Sequence, residues 1–212
     1  MPTYRHTLGT NKRFHRIHIP RTAGRFFHEN IILNKFIEEH EFTYVFKEGH
    51  EVVHFHREMY KKYLDVEGIP NFAIIRNPVD RFISSSMFLK CFHKNFLDGQ
   101  SDLQEQMESD EFFNILDNIH HYNTEMINWF RPQVEFLDRD TYIWKLEWGL
   151  GNEFGRWIAD KLKLPSFPIR KVSYVETEYI PEDDKLEPTP KLIDNIRKYY
   201  ADSDFKFLYP DQ

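Results

Sequence analysis

The stretch that most constrains the fold is residues 14–27, with the sequence Phe-His-Arg-Ile-His-Ile-Pro-Arg-Thr-Ala-Gly-Arg-Phe-Phe. Phe14, Ile17 and Ile19 lie in a short run that Pro20 ends, and the apolar residues after Gly24 recur at helical spacing as far as Ile37. This pattern predicts a strand, a tight loop and a helix. A loop that enters a helix N-terminus directs backbone N–H groups at whatever binds there, so the sequence also predicts an anion site.

The side chains of this loop suit an anion. Arg21 and Arg25 supply positive charge, Thr22 supplies a hydroxyl, and Gly24 leaves space for a phosphate or sulfate. Residues 1–30 contain six Lys or Arg and one acid, Glu29, although the whole chain has a net charge of −6. The Walker spacing Gly-x4-Gly-Lys-Ser/Thr is absent. On these residues alone, an ordinary buried first strand with a basic turn remains an open alternative.

Residues 18–24, His-Ile-Pro-Arg-Thr-Ala-Gly, resemble a known signature. It is the His-Ile-Pro-Lys-Thr-Ala-Gly-Thr-Ser motif of membrane-type carbohydrate sulfotransferases, the relatives of heparan sulfate 2-O-sulfotransferase. There the motif holds the 5′-phosphosulfate of 3′-phosphoadenosine-5′-phosphosulfate (PAPS). The resemblance implies that the chain binds PAPS through Arg21, Thr22, Ala23, Gly24, Arg25 and Phe26. Arg21 replaces the family's Lys, Arg25 its Thr and Phe26 its Ser.

A second strand-loop-helix pattern begins at residue 71. The continuous apolar run 71–75 is typical of a strand buried on both faces of a parallel sheet, and Pro78 is placed to open a helix. Residues 76–84 are similar to the family's Arg-Asp-Pro-x-Glu/Asp-Arg-x-x-Ser signature, and Asn77 is the only departure. The resemblance implies that Arg76 and Ser84 bind the 3′-phosphate of PAPS. Arg81 is interpreted as structural.

Three histidines follow one another closely at His50, His54 and His56. A zinc site is one hypothesis, but no Cys or suitably spaced acid completes a ligand set. A second is that they are solvated at the start of a helix. The third is catalytic, because Gly49-His50 is similar to the family's Gly-His element with its presumed base. We therefore expect neutral His50 to act as general base and Arg21 to be the second catalytic residue.

The later segments give weaker signals. Residues 110–119 predict an amphipathic acidic helix, residues 141–147 a strand with Lys145 and Glu147, and residues 154–164 a further helix. Residues 122–130 are expected to continue helical, and 129–133 resemble the family's His-Phe-x-Pro-Gln element. That element leaves two alternatives open, a helix end at Pro132 or a substrate-side role for Arg131 or Gln133. Residues 141–147 resemble the family's Val-Gly-Arg-Phe-Glu.

Two expectations concern the C-terminal part of the chain. The resemblance implies a basic loop that closes over the nucleotide through Arg170, Lys171 and Ser173. Thr189 is predicted to cap the last helix.

Length and composition bound the class of protein. At 212 residues and 25.9 kDa, with 41% hydrophobic and 17% aromatic residues, the chain suits a single domain over 1–212 with an aromatic-rich core, preceded by a loose arm at 1–12. A pI near 6.0 disfavours a nucleic-acid partner. The lone Cys91 excludes an internal disulfide, and no apolar run reaches the ~20 residues of a membrane span. We expect a cytoplasmic protein with no membrane partner, such as a bacterial or phage-encoded relative.

The predicted fold is α/β, a three-layer parallel sheet flanked by helices, of the P-loop NTPase-like sulfotransferase type. The predicted function is metal-free transfer of a sulfuryl group from PAPS to an acceptor hydroxyl, on a carbohydrate such as a glycan, with adenosine 3′,5′-bisphosphate as product. Two alternatives remain: a catalytically degenerate nucleotide-binding module, and an NTP-dependent phosphotransferase. The sequence names no particular acceptor.

Overall fold

The computed structural model describes residues 3–7, 12–38, 45–92, 103–121, 128–164, 166–171 and 186–212, without the side chains of 90–92. These residues belong to two compact units, one drawn from Met1–Arg76 and Glu135–Val172, the other from Asn77–Val134 and Ser173–Gln212. A single domain over 1–212 stays a prediction. Among the described residues, no helix combines the length and apolar character needed to cross a membrane.

All the described strands belong to the first unit. In chain order they are β1 (Thr3–His6), β2 (Arg13–Ile17), β3 (Phe36–Glu38), β4 (Phe46–Lys47), β5 (His50–Glu51), β6 (Asn71–Ile75) and β7 (Tyr142–Lys145). Five of them form a sheet in the order β3-β1-β2-β6-β7, while β4 and β5 pair in a separate hairpin. Strands β2, β6 and β7 are parallel, and β1 is antiparallel to both of its neighbours.

The described helices lie before, between and after the later strands. They are α1 (Gly24–Leu33), α2 (Arg57–Tyr63), α3 (Pro78–Phe92), α4 (Leu103–Met107), α5 (Asp110–Asp117), α6 (Asn152–Lys161), α7 (Pro190–Tyr200) and α8 (Lys206–Leu208). Helices α1, α2 and α6 belong to the first unit and the others to the second. The molecule is therefore mixed α/β, with a mixed sheet flanked by helices. The predicted parallel sheet is correct for β2, β6 and β7, whereas β1 joins the sheet in the antiparallel sense.

The loose arm predicted for 1–12 is wrong over Thr3–His6. This segment forms β1, which lies between β2 and β3 in the sheet. The Tyr4 ring is buried and lies 5.2 Å from that of Phe14. Backbone hydrogen bonds to two neighbouring strands and burial of one large aromatic ring order a segment that is mostly polar.

The core of the first unit is rich in aromatic side chains, as predicted. The Phe27 ring of α1 lies 4.9 Å from Phe72 of β6 and 6.1 Å from Phe154 of α6. Rings in this offset or edge-on arrangement each bury a large apolar area and fix their mutual orientation. Helix α1 is thereby held on the sheet directly after the loop that precedes it.

The second unit contains buried polar groups beside its apolar core. Arg81 of α3 is fully buried and its Nη2 donates to the carbonyls of Trp129 and Arg131, each at 2.9 Å. The buried carboxylate of Asp204 accepts from Gln133 Nε2 at 3.0 Å. Burial raises the pKa of Asp204, although the Arg81 charge acts in the opposite direction. Arg81 thus has structural contacts, as the sequence predicted.

Most predicted elements have the expected type, with shifted ends. The strand at 71–75 and the helix start at Pro78 agree with the prediction, and Thr189 Oγ1 caps α7 by accepting from the N–H of Leu192 at 3.2 Å. The strand predicted over 141–147 is shorter, because Leu146–Trp148 forms a 3-10 turn. Predictions that fall on residues 122–127, on Ser173 and on the Cys91 side chain lie outside the described part of the molecule.

Candidate anion-binding site

The loop between β2 and α1 has an unusual backbone. Arg21 has φ 64° and Ala23 has φ 62°, so two residues that are not glycine adopt the left-handed conformation, with Thr22 between them. Such conformations cost about 1–2 kcal/mol per residue. Alternation of left-handed and ordinary residues turns successive N–H groups toward one side and forms a concave nest for anions. Ala23 occupies the N-cap position of α1 without a side-chain cap.

Two side chains of the first unit fix this loop. Arg16 of β2 donates from Nη1 to the carbonyl of Gly24 at 3.0 Å, and its guanidinium lies 4.7 Å from the centre of the Phe27 ring. Burial lowers the pKa of Arg16 to about 10, so it remains charged at neutral pH. Thr22 Oγ1 donates to the carbonyl of Ile19 at 2.8 Å. The predicted ligand hydroxyl of Thr22 therefore braces the loop, and its role as a ligand stays a prediction.

Gly24 has a packing role that the sequence did not indicate. A Cβ at this position would overlap the His18 imidazole at Nε2. The space ascribed to a bound anion is therefore taken by a histidine ring of the same loop. The pKa of His18 lies well below its usual range because of burial and of the nearby Arg16 and His54 charges. His18 thus stands beside the loop as a neutral imidazole at pH 7.

The sheet brings further cations to the same edge. Ile17 of β2 pairs with Ala73 of β6, and Ile75 of β6 pairs with Lys145 of β7, all in parallel register. Parallel strands present their carboxyl ends together, which is where such sheets bind ligands. The nest follows β2, Arg76 follows β6 directly, and Lys145 ends β7. The Arg76 and Lys145 side chains are half-buried.

A basic segment lies along α1. Asn30, fully buried on α1, donates to the carbonyl of Arg170 at 3.3 Å and accepts from the N–H of Arg170 at 2.8 Å. Asn34, one turn further along, donates to the carbonyl of Pro168 at 2.9 Å. Sequence reasoning missed both asparagines, although amides four residues apart on an apolar helix were a usable signal. Arg170 and Lys171 are exposed on this segment.

The remaining predicted ligands are Arg25, Phe26 and Ser84. Arg25 is exposed and Phe26 half-buried in the first turn of α1. Ser84 is a half-buried residue of α3 and belongs to the second unit. Their roles in binding stay predictions.

The three predicted histidines are all buried, so the interpretation as solvated residues is wrong. His50 follows a two-residue turn in which Glu48 and Gly49 have φ 51° and 79°, as in a type I′ hairpin. His54 ends a 3-10 turn and His56 precedes α2. Across the described chain, no three His, Cys, Asp or Glu side chains are grouped so as to hold a metal ion.

Two pairs of histidine rings occur here. The His54 ring lies 4.8 Å from that of His18, and His54 Nδ1 lies 3.3 Å from Glu51 Oε2. The His50 ring lies 5.8 Å from that of His56 in a perpendicular arrangement. The assignment of His50 as base stays a prediction.

The predicted substrate-side residues Arg131 and Gln133 are engaged within the second unit. Arg131 Nε donates to Asn128 Oδ1 at 2.7 Å, and Gln133 is bonded to Asp204. These contacts favour the structural alternative for both residues.

Comparisons with protein-family models, with curated proteins and with solved structures find no match for this chain.

Proposed function

We propose that the protein is a PAPS-dependent sulfotransferase of the P-loop-like α/β type, which moves a sulfuryl group to an acceptor hydroxyl on a carbohydrate. The observation that carries the proposal is the loop 20–24. Arg21 and Ala23 are left-handed there, α1 begins without a side-chain cap, and Arg76 follows the adjacent parallel strand. Two cationic junctions on neighbouring strands suit a ligand with anionic groups at two positions. PAPS has this character in its 5′-phosphosulfate and 3′-phosphate.

The electrostatics of the first unit also favour an anionic nucleotide. Arg21 is a half-buried residue of this loop, and Lys145 ends the strand beside β6. Fixed N–H groups and cations can stabilise charge on transferred oxygens without rearranging during the reaction. This arrangement requires no metal ligand set.

The proposed reaction is an in-line displacement at sulfur. The acceptor oxygen forms a bond to sulfur while the bond between sulfur and the 5′-phosphate oxygen breaks. The electron pair of that bond remains on the 5′-phosphate, which leaves as part of adenosine 3′,5′-bisphosphate. The acceptor's proton passes to a base, and the product is a sulfate ester. Catalysis by positioning and by cations parallels phosphoryl transfer.

The first test is binding. Isothermal titration should show tighter binding of adenosine 3′,5′-bisphosphate than of ATP with Mg²⁺, because ATP lacks the 3′-phosphate. Equal affinity for the two ligands would contradict the assignment of Arg76 and favour a phosphotransferase.

The second test is turnover. The protein is incubated with PAPS and panels of glycans, phenols and small alcohols, and sulfated products are sought by mass spectrometry as a gain of one sulfuryl group. A sulfated glycan supports the proposal. Binding of the bisphosphate without transfer to any acceptor would instead support a nucleotide-binding module without activity.

A further inference from the structure

We infer that His54, oriented by the carboxylate of Glu51, is the base that takes the acceptor's proton, in place of the His50 that the sequence favours. The inference rests on the proposed sulfotransferase function. It concerns two residues of one short segment of the first unit, between β5 and α2.

The first step is the contact between the two side chains. His54 Nδ1 lies 3.3 Å from Glu51 Oε2, and the two side chains are 8% and 16% exposed. A carboxylate at Nδ1 accepts a hydrogen bond there, which keeps the proton on Nδ1 and leaves the lone pair on Nε2. A neutral imidazole in this tautomer can accept a proton at Nε2.

Second, side-chain contacts connect this pair with the anion loop. The His54 ring lies 4.8 Å from the His18 ring, and the His18 ring packs against Gly24, the first residue of α1. Glu51, His54, His18 and the start of α1 therefore form a continuous series of contacts. Glu51 lies at one end of it and the loop at which we propose sulfur transfer at the other.

The third step is the contrast with His50. Its ring lies 5.8 Å from His56, perpendicular to it, on the segment just after the hairpin turn. The carboxylate of Glu51 contacts His54. In the transfer step, the acceptor O–H bond breaks as its oxygen bonds to sulfur, the proton goes to His54 Nε2, and the S–O electron pair stays on the 5′-phosphate.

Charged and titratable groups lie near His54, and they determine which contacts are lost when its imidazole is removed. Glu51 faces it from the same segment, and His18 faces it from the loop after β2. The positive charge of Arg16 in β2 lowers the pKa of His18. Removing the His54 imidazole therefore leaves the Arg16 brace of the loop in place, and nucleotide binding should survive.

The experiment uses the full chain, PAPS and the acceptor found in the product screen. His54→Ala should lower kcat by about 10²–10⁴-fold while the affinity for adenosine 3′,5′-bisphosphate, measured by titration, stays within about threefold. Added imidazole should restore part of the activity, because a free base can enter the vacated space. His54→Gln serves as the second variant if the alanine protein does not fold, since its amide keeps the volume and the contact to Glu51.

Glu51 is tested as a positioning residue. Glu51→Gln should lower kcat by about 10–100-fold without changing bisphosphate affinity, because an amide N–H opposite Nδ1 favours the tautomer with its proton on Nε2. Glu51→Asp should recover part of this loss. Added imidazole should not rescue Glu51→Gln, because the His54 ring still fills the site; rescue there would contradict a positioning role.

His56→Ala is the matched control, because His56 is also buried and lies two residues from His54. It should keep kcat within about threefold. If His50→Ala loses turnover while His54→Ala keeps it, the inference fails and the proposed function stands. If wild type binds the bisphosphate but sulfates no acceptor, the proposed function fails, and the inference with it.

Discussion

The two loop-to-helix junctions after β2 and β6 differ in whether a side chain caps the first N–H groups of the helix. At the first junction, Ala23 is left-handed and α1 begins without a side-chain cap. At the second, Asn77 Oδ1 accepts from the N–H groups of Val79 and Asp80 at 2.9 and 3.3 Å. A helix start that has no side-chain cap leaves its N–H groups for a ligand, whereas a capped one has used them.

This difference teaches which part of each junction can recognise an anion. The first junction has two left-handed residues, Arg21 and Ala23, a backbone pattern that favours a nest of N–H groups. The second can contribute side chains, and Arg76 precedes its cap directly. Asn77 stands where the motif that this segment resembles has Asp, and both side chains are good N-caps.

The largest effect is expected at Arg21. Arg21→Ala should abolish measurable sulfate transfer, a loss of at least about 10²–10³-fold, because the leaving phosphate loses its cation. Arg21→Lys should retain or improve transfer, since an ammonium can act there as a compact point charge. Arg21→Gly is a matched control that relaxes the backbone at φ 64° but also removes the charge.

The rate of sulfate transfer by each variant is measured as the amount of sulfated product, detected by mass spectrometry. The glycine variant should be as inactive as the alanine variant and at least as stable as wild type. Wild-type rates in both uncharged variants would show that the first junction is not where transfer occurs.

Arg76 should give the next largest effect. Arg76→Ala should weaken binding of adenosine 3′,5′-bisphosphate by about ten- to a hundredfold, the loss of a charge-assisted contact of about 1.5–3 kcal/mol. Titration with adenosine 5′-monophosphate, which lacks the 3′-phosphate, is the ligand control, and Arg139→Ala at an exposed arginine is the protein control. An equal loss for both ligands would mean that Arg76 does not recognise the 3′-phosphate.

Adding one methyl group at Gly24 should lower the stability of the protein. Gly24→Ala places a Cβ on the His18 imidazole, and we expect a loss of about 1–3 kcal/mol in the free energy of unfolding. His18→Ala in the same chain should recover at least half of it by vacating the space. Urea unfolding of the two single variants and the double variant measures the coupling. Additive losses would show that the His18 ring is not the obstacle.

Lowering the pH should destabilise the fold at the first junction, because the His18 ring is buried in its neutral form. The pKa of folded His18 lies well below the unfolded value of about 6.5, and burial lowers that of His15 in β2 to about 3. Below pH ~6.5 the unfolded chain binds more protons, so stability is fully present above that pH and falls as the pH drops. Each group contributes up to about 1.4 kcal/mol per pH unit.

Urea unfolding between pH 7.5 and 4.5 measures this slope. His18→Asn should lower the slope of unfolding free energy against pH by up to about 1.4 kcal/mol per pH unit, the contribution of one proton. His121→Asn, at an exposed histidine of the second unit, should leave the slope unchanged. An unaltered slope in His18→Asn would contradict a buried neutral His18.

The sequence predicted these two junctions better than the parts that surround them. Residues 71–75 have the predicted bounds because a continuous apolar run ends at the polar pair before Pro78. Strand β1 was missed because a short polar segment is ordered by hydrogen bonds to β2 and β3, which are distant in sequence. Local pattern therefore predicts where a strand meets a helix, while pairing partners depend on the tertiary fold.

The histidines show the same limit at the level of side chains. Glu51 and His54 stand three residues apart, a visible spacing, but the sequence favoured His50 because the resemblance falls on Gly49-His50. The ring contact between His18 and His54 joins residues of two separate segments, so no local pattern contains it. The same holds for Asn30 and Arg170, which are 140 residues apart.

The smallest effect should come from the cap of the second junction, where the comparison is sharpest. Asn77→Ala removes the acceptor for the N–H groups of Val79 and Asp80 and should cost about 1 kcal/mol of unfolding free energy. Asn77→Asp keeps the cap, adds a charge that the helix dipole favours, and should match or exceed wild-type stability. Neither variant should alter bisphosphate affinity more than about twofold, because Arg76 and not the α3 backbone is the proposed ligand. A tenfold loss of affinity in Asn77→Ala, with Asn77→Asp normal, would mean that the cap orients Arg76, so that the second junction also depends on its backbone.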